Sequence, residues 1–164
     1  MLKIFLDTNI LLDYFGIGCT PENQSAAVSL VKALWEKDQG FLMTPTCLKD
    51  FQYLLGVQLK KAIKAEKGQV DPADAAAVAQ VVRGALEHLM EVGTVASESM
   101  ADCEMARALL GAHSDYEDNI IAAVALRSQA HCIVSRDKRF AAHCPVACLS
   151  PEEALVGIRA GAWV

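Results

Sequence analysis

Short apolar runs alternate along the chain with longer segments in which apolar residues recur every three or four positions. Short continuous runs are typical of strands buried on both faces of a parallel sheet, and three-four spacing is typical of helices that bury one face. The runs predict five strands, over residues 2–6, 41–43, 93–96, 131–135 and 146–149. Because strands alternate with helices, we expect an α/β fold: three layers, α/β/α, around a central, mostly parallel sheet of about five strands.

Most of the predicted helices begin with a capping residue. Thr20-Pro21, Thr44-Pro45, Asp71-Pro72 and Ser150-Pro151 each place a cap directly before a proline, and proline is favoured at the first helical position. Ser114 and Glu117 have the spacing of a capping box. Thr8 and Asn9 can cap a short helix that continues to Phe15.

Length and composition indicate one globular domain over residues 1–164. No apolar run approaches the roughly 20 residues that span a bilayer, and the N-terminus shows no signal-peptide pattern. We therefore expect a cytoplasmic protein without membrane contact. None of the six cysteines forms a Cys-x-x-Cys pair, so reduced, packed thiols are expected rather than disulfides or zinc.

The net charge of −5 argues mildly against a non-specific nucleic-acid binder, which normally presents a basic surface. Clustered acids that hold a cation would also make the average charge negative. The negative net charge is therefore only weak evidence against a nucleic-acid partner.

Acidic residues recur at one kind of position. Asp7 ends the first predicted strand, Asp50 lies in the opening turns of the helix after the second, and Asp137 follows the fourth. Asp118, with Asp115 before it, stands in the first turn of a helix. In a parallel sheet these positions meet at one edge. Mutual repulsion would protonate some of the carboxylates, and a hard divalent cation such as Mg²⁺ or Mn²⁺ resolves that conflict.

Each acid taken alone also has a structural explanation. Asp115, Asp118 and Asp137 suit helix starts, where carboxylates cap amide groups and favour the helix dipole. Asp50 can be an ordinary exposed helix residue. Asp7, directly after a buried strand, is the hardest to assign to capping alone.

Three segments carry a family resemblance. Leu6 to Asp13 (LDTNILLD), Tyr116 to Ala125 (YEDNIIAAVA) and Ile133 to Phe140 (IVSRDKRF) resemble, in order and separation, the motifs of the PIN domain family. The resemblance extends from Met1 to about Pro151. It implies a metal-dependent ribonuclease, and for a chain of this size a VapC-like toxin of a type II toxin–antitoxin pair.

The resemblance also implies roles for particular residues. It makes four acids catalytic, Asp7, Asp50, Asp118 and Asp137, which would bind one or two Mg²⁺ or Mn²⁺ ions together with Asp115. It assigns substrate contacts to Thr8, Asn9, Ser135, Arg136 and Lys138. Thr8 or Asn9, together with Ser135, would orient either the carboxylates or the scissile phosphate, and Arg136 and Lys138 would contact phosphates. RNA is the implied substrate, a small antitoxin the implied partner, and a homodimer the implied assembly. Two positions depart from the family pattern: Asp50 replaces the usual glutamate, and Ser135 replaces a threonine.

Two other functions remain open at this point. A PIN-like scaffold that has lost catalysis would act through protein contacts, and the acidic net charge and Asp50 favour it. Against it, no acid position has become apolar. A phosphotransfer enzyme of the haloacid dehalogenase kind would use Asp7 as nucleophile, but that family needs an aspartate where Asn9 stands.

Overall fold

The computed structural model describes residues 2–162, so the two ends of the predicted domain, Met1 and residues 163–164, lie outside the described residues. The strands are β1 (Ile4–Leu6), β2 (Phe41–Met43), β3 (Gly93–Val95), β4 (Cys132–Val134) and β5 (Cys148–Leu149). The helices are α1 (Thr8–Tyr14), α2 (Pro21–Glu36), α3 (Pro45–Lys67), α4 (Pro72–Val92), α5 (Met100–Leu109), α6 (Tyr116–Arg127), α7 (Lys138–His143) and α8 (Pro151–Ala160).

The strands form one parallel sheet in the order β3-β2-β1-β4-β5. In its centre Phe5 pairs with Ile133 of β4 and with Leu42 of β2. The predicted five-stranded sheet between helical layers is therefore confirmed. Most strands are one or two residues shorter than their apolar runs, which is the usual uncertainty of strand ends.

The strand order places a topological switch point beside β1. The chain moves outward from β1 to β2 and β3, and then returns to β4 on the other side of β1. Because crossover connections are right-handed, this reversal places helices on both faces of the sheet. Between β1 and β4 the flanking loops leave in opposite directions, and such a point is where open α/β sheets form a crevice.

The core surrounds the central strands on both faces. Every residue of β1 and β4 is buried, as their continuous apolar runs predicted. Four phenylalanines, Phe5, Phe41, Phe51 and Phe140, are among the largest fully buried side chains. Within residues 2–162 no helix has both the length and the apolar character needed to cross a membrane.

Two helix caps differ from the prediction. Asp7, rather than Thr8 or Asn9, caps α1, and its carboxylate accepts a hydrogen bond from the Thr8 backbone N–H. Asp115, rather than Ser114, caps α6. A carboxylate is a stronger acceptor than a neutral hydroxyl or amide. The caps predicted from the proline motifs, on α2, α3, α4 and α8, are confirmed.

Candidate functional site

A cleft of about 670 Å³ opens at the carboxyl edge of the sheet, next to the switch point. The five aspartates predicted from the sequence all line it: Asp7, Asp50, Asp115, Asp118 and Asp137. They come from the ends of β1 and β4 and from the starts of α3 and α6. The structure therefore brings together acids that lie up to 130 residues apart in the chain.

Asp7 lies deepest among these acids, with 5% of its surface exposed. Its carboxylate accepts hydrogen bonds from the Thr8 N–H, the Asn9 side-chain amide and the Ser135 hydroxyl, each at 2.6 Å. Burial raises the pKa of Asp7 to about 6, because it disfavours the charged form; the Ser135 hydrogen bond opposes the shift, and the charges of Asp118 and Asp137 add to it. Asp7 is thus held rigidly in a site that favours its protonation.

Asp137 and Asp115 are both helix caps and cleft residues. One oxygen of Asp137 accepts the backbone N–H groups of Arg139 and Phe140 at 2.7 and 3.0 Å. One oxygen of Asp115 accepts the N–H groups of Glu117 and Asp118. Among residues 2–162 the second oxygen of each carboxylate accepts no hydrogen bond. Capping therefore leaves one oxygen of each acid free for another partner.

Asp118 follows Asp115 in the first turn of α6 and is held by a histidine. Its Oδ2 lies 2.7 Å from Nε2 of the buried His113. Burial raises the pKa of Asp118, His113 lowers it, and the charges of Asp115 and Asp137 raise it further. The charges of Asp115 and Asp137 thus act on Asp118, as is typical of neighbouring acids in one cleft.

Asp50 lines the same cleft with a second acid beside it. The Lys49 ammonium lies 3.2 Å from Asp50 and 2.9 Å from Glu117, so it links α3 to α6. Burial and the proximity of Glu117 raise the pKa of Asp50, whereas Lys49 lowers the pKa of Glu117. The shorter Asp50 thus shares its wall with Glu117, which also lines the cleft.

Three of the predicted substrate-contacting residues surround Asp7. Thr8 and Asn9 line the cleft. Ser135 is buried; its hydroxyl donates to Asp7 and accepts the Asp137 backbone N–H at 3.0 Å. Asn9 also donates to the Ser135 hydroxyl at 3.1 Å. These contacts orient carboxylates, which was one of the two roles expected for Asn9 and Ser135.

Arg136 and Lys138 do not line the acidic cleft. They border a separate depression of about 760 Å³ toward β5 and α8. The Arg136 guanidinium donates to Asp13 at 2.6 Å and also contacts Glu152, so internal acids occupy it. These acids offset the positive charge that Arg136 was expected to offer a phosphate, and its substrate contact stays a prediction. Lys138 is exposed, and its substrate contact stays a prediction.

The donor set of the cleft suits a hard divalent cation. Carboxylate oxygens are the ligands that Mg²⁺ and Mn²⁺ prefer, and Asp7 and Asp118 both have raised pKa values that a nearby cation would reverse. Within the described residues, however, no three Asp, Glu, His or Cys side chains stand close enough together to hold a metal ion as they are oriented here. The type of ligand at the site therefore fits such an ion, but the carboxylates do not converge on one point in the orientations seen here.

Sequence reasoning missed three residues of this site: His113, Lys49 and Glu117. Glu117 was assigned to a capping box, but its carboxylate contacts Lys49 instead. Lys49 directly precedes Asp50, and that adjacency was the available signal. His113 lies five residues before Asp118 in a loop, and no local pattern indicates that the loop folds back onto the acid.

Comparisons with known proteins agree with this architecture. A family model described as the PIN domain matches residues 3–139, and no curated protein sequence matches the chain. The crystal structure of FitAcB from Neisseria gonorrhoeae is similar with a TM-score of 0.62 at 13% identity, over 91% of this chain and 98% of that one.

Two further structures share the fold. VapBC2 from Rickettsia felis, bound to a DNA fragment from their promoter, gives a TM-score of 0.62 at 15% identity, over 92% of this chain and 98% of that chain. VapC20 from Mycobacterium tuberculosis, described as a sarcin-ricin loop cleaving toxin, gives a TM-score of 0.51 at 18% identity, over 85% of this chain and 93% of that chain. At such identities the likeness establishes the fold alone. The family-model match covers most of the sequence, and on that basis this chain belongs to the PIN domain family.

Proposed function

We propose that this protein is a metal-dependent ribonuclease that hydrolyses RNA phosphodiester bonds, and that it is the toxin of a type II toxin–antitoxin pair. One observation carries the proposal. Five aspartates from four separate parts of the chain line a single cleft at the switch point of the sheet. A stable fold has no need to gather that many like charges. Burial is the main cause of the raised pKa values of Asp7 and Asp118, and the charges of the neighbouring acids add to it.

The acids have distinct places in this scheme. Asp7, Asp118 and Asp137 would hold one or two Mg²⁺ or Mn²⁺ ions, with Asp50 and Asp115 completing the acidic wall. The ion, when bound, supplies an activated water and neutralises charge on the phosphodiester. Asn9 and Ser135 hold the Asp7 carboxylate in its orientation, and no side chain forms a covalent bond to the substrate.

RNA is the proposed substrate, and its phosphates need positive charge near an acidic cleft. Lys49 lies on the rim and is largely exposed, so it is placed to contact a phosphate. Thr8 lines the cleft floor. The sarcin-ricin loop activity named for VapC20 supports RNA over DNA as the substrate class.

The proposed partner is a small antitoxin protein, and a homodimer is the proposed assembly. The names of the FitAcB and VapBC2 structures support the pairing. An apolar groove of about 730 Å³ runs between α3 and α4 and shares Lys49 and Tyr53 with the acidic cleft. Val57 and Met90 are exposed along it. A segment lying in this groove would end beside the acids.

The first test of the proposal is cleavage of a mixed structured RNA by purified protein with Mn²⁺ or with EDTA. We expect cleavage that requires the metal and falls more than about 100-fold in Asp7→Asn, since even residues behind a metal ligand cost 10–100-fold. Asp71→Asn is the matched control, because Asp71 is an exposed helix cap remote from the cleft. It should cleave like the unaltered protein.

The same experiment separates the alternatives. Intact RNA in every lane, together with no Mn²⁺ binding by calorimetry, would contradict the ribonuclease proposal and favour a scaffold that acts through protein contacts. Intact RNA with tight Mn²⁺ binding would point to a substrate absent from the mixture.

A further inference from the structure

Among residues 2–162, His113 is the only hydrogen-bond partner of one of the cleft acids, Asp118. It lies between α5 and α6, and 5% of its surface is exposed. Its backbone is fixed on both sides: its N–H donates to the Leu109 carbonyl at 3.0 Å, and its carbonyl accepts the Asn119 side-chain amide at 2.7 Å. Asn119 is itself buried. The loop therefore presents this imidazole in one fixed place.

Within the described part of the chain, the imidazole makes a single hydrogen bond. Nε2 lies 2.7 Å from Asp118 Oδ2, and an ionised carboxylate only accepts hydrogen bonds, so Nε2 must carry the hydrogen. Nδ1 is buried and has no hydrogen-bond partner among residues 2–162. The ring centroids of Phe140 and His143 lie 5.7 and 6.3 Å away. Two aromatic rings therefore pack near the imidazole.

This arrangement is costly for stability alone. A buried polar atom without a partner costs about 1–3 kcal/mol, and a leucine or methionine would fill the same space without that cost. Unsatisfied buried groups in native proteins are rare and often accompany a functional constraint. The constraint here is the bond from Nε2 to Asp118.

Three of the other four aspartates of the cleft are held differently, and the fourth, Asp50, contacts Lys49. Asp7 accepts three hydrogen bonds, and Asp137 and Asp115 are held by backbone N–H groups of their own helices. Asp118 accepts a hydrogen bond only from His113 within the described residues. Without His113 its side chain could change rotamer freely, whereas the other three would keep their orientation.

We propose that His113 is a positioning residue for Asp118: it binds Oδ2 and so directs Oδ1 into the cleft for a divalent cation. The inference rests on the proposed metal-dependent function and adds a residue to it. Histidine–carboxylate pairs behind a metal site fix the orientation of the ligand, and their loss costs 10–100-fold in metal affinity.

The test compares His113→Met and His113→Gln with the unaltered protein. Methionine keeps the volume but removes the donor, whereas the glutamine amide nitrogen is the same number of bonds from Cβ as Nε2. By Mn²⁺ calorimetry we expect His113→Met to bind about 10–100-fold more weakly and His113→Gln to recover most of that loss. In RNA cleavage, kcat should follow metal occupancy while KM for RNA stays unchanged.

Several outcomes would overturn the proposal. If His113→Met is folded by circular dichroism and binds Mn²⁺ as tightly as the unaltered protein, His113 does not position Asp118. If His113→Met fails to fold, NMR of the metal-free protein decides: the Nε2–H proton should be protected, and it should shift in Asp118→Asn. An unchanged Nε2–H signal in Asp118→Asn contradicts the proposal.

The proposed function fails separately from this inference. If the unaltered protein binds no Mn²⁺, the metal-dependent function is wrong and the role of His113 falls with it. If the unaltered protein binds Mn²⁺ and cleaves RNA while His113→Met does both equally well, only the role of His113 is wrong.

Discussion

At the scale of single residues, the buried carboxylate of Asp7 couples stability of the metal-free protein to pH. Its pKa in the folded state is raised from 3.8 to about 6, so the folded protein holds the proton more tightly than the unfolded chain does. The change of stability with pH is therefore opposite in sign to that caused by a salt-bridged acid, whose pKa is lowered in the folded state. Ionised Asp7 destabilises the fold above pH 6, and the penalty disappears as the pH falls to about 4.

We therefore predict that Asp7→Asn, in the absence of metal, raises the free energy of unfolding at pH 8 by about 2–3 kcal/mol. Asparagine can still cap α1 through its side-chain oxygen but carries no charge. The gain should vanish near pH 4. Urea denaturation at the two pH values measures the difference.

Asp71→Asn is the control for this prediction, since it makes the same replacement at an exposed helix cap. It should not show the gain at pH 8. An Asp7→Asn variant that is destabilised equally at both pH values would show that its lost hydrogen bonds outweigh the removed charge.

At the scale of residues, the sequence predicted that the acids lie together, which the cleft shows, but it did not predict which side chains contact them. The acids follow strands or start helices, and those elements could be recognised from local pattern. The contacts of Asp118 with His113 and of Asp50 with Lys49 and Glu117 depend on side-chain rotamers and loop paths. The pattern of apolar residues along the sequence gives no information about rotamers or loop paths.

At the scale of elements, the outer strand β3 depends on a glycine. Gly93 follows directly on α4 and pairs with Phe41 of β2. A Cβ atom added at Gly93 would lie 2.5 Å from the buried Phe41 ring, too close for any contact without movement. The strand was predicted from a weak apolar pattern, and this close approach explains why its first residue has no side chain.

We predict that Gly93→Ala lowers the free energy of unfolding by about 1–3 kcal/mol, the usual cost of overpacking a core. Gly84→Ala is the matched control: Gly84 lies exposed inside α4, and nothing lies within 4 Å of an added Cβ. It should gain about 0.5–1 kcal/mol from helix propensity. Urea denaturation measures both, and equal effects would contradict the role of Phe41.

At the scale of the whole molecule, Arg136 joins three distant parts of the chain. Its guanidinium contacts Asp13 in α1, Glu152 in α8 and the Asn23 carbonyl in α2. Asp13 is buried. Removing the arginine would leave that carboxylate without its cation, which is costly in the interior.

We predict that Arg136→Met lowers the free energy of unfolding by about 2–4 kcal/mol, below the cost of a fully buried pair because Arg136 is partly exposed. Lys138→Met, at an exposed basic residue two positions on, should leave stability nearly unchanged. Thermal unfolding compares the two. A stable Arg136→Met that binds RNA more weakly would contradict this structural role and support a phosphate contact by Arg136.

The sequence by itself determined the elements and the edge of the sheet at which the acids meet. Strand runs and capping motifs are local, and in a parallel sheet every strand end points to the same edge. This is why Asp7, Asp50, Asp118 and Asp137 could be predicted as one cluster. The resemblance of three motifs to the PIN domain family supplied the proposed chemistry.

Only the tertiary structure decided which polar groups meet. It paired Arg136 with Asp13, placed Glu117 beside Asp50 through Lys49, and brought His113 to Asp118. The physical reason is that side-chain hydrogen bonds and ion pairs form over a few ångströms between segments far apart in sequence. Local propensity carries no information about such contacts.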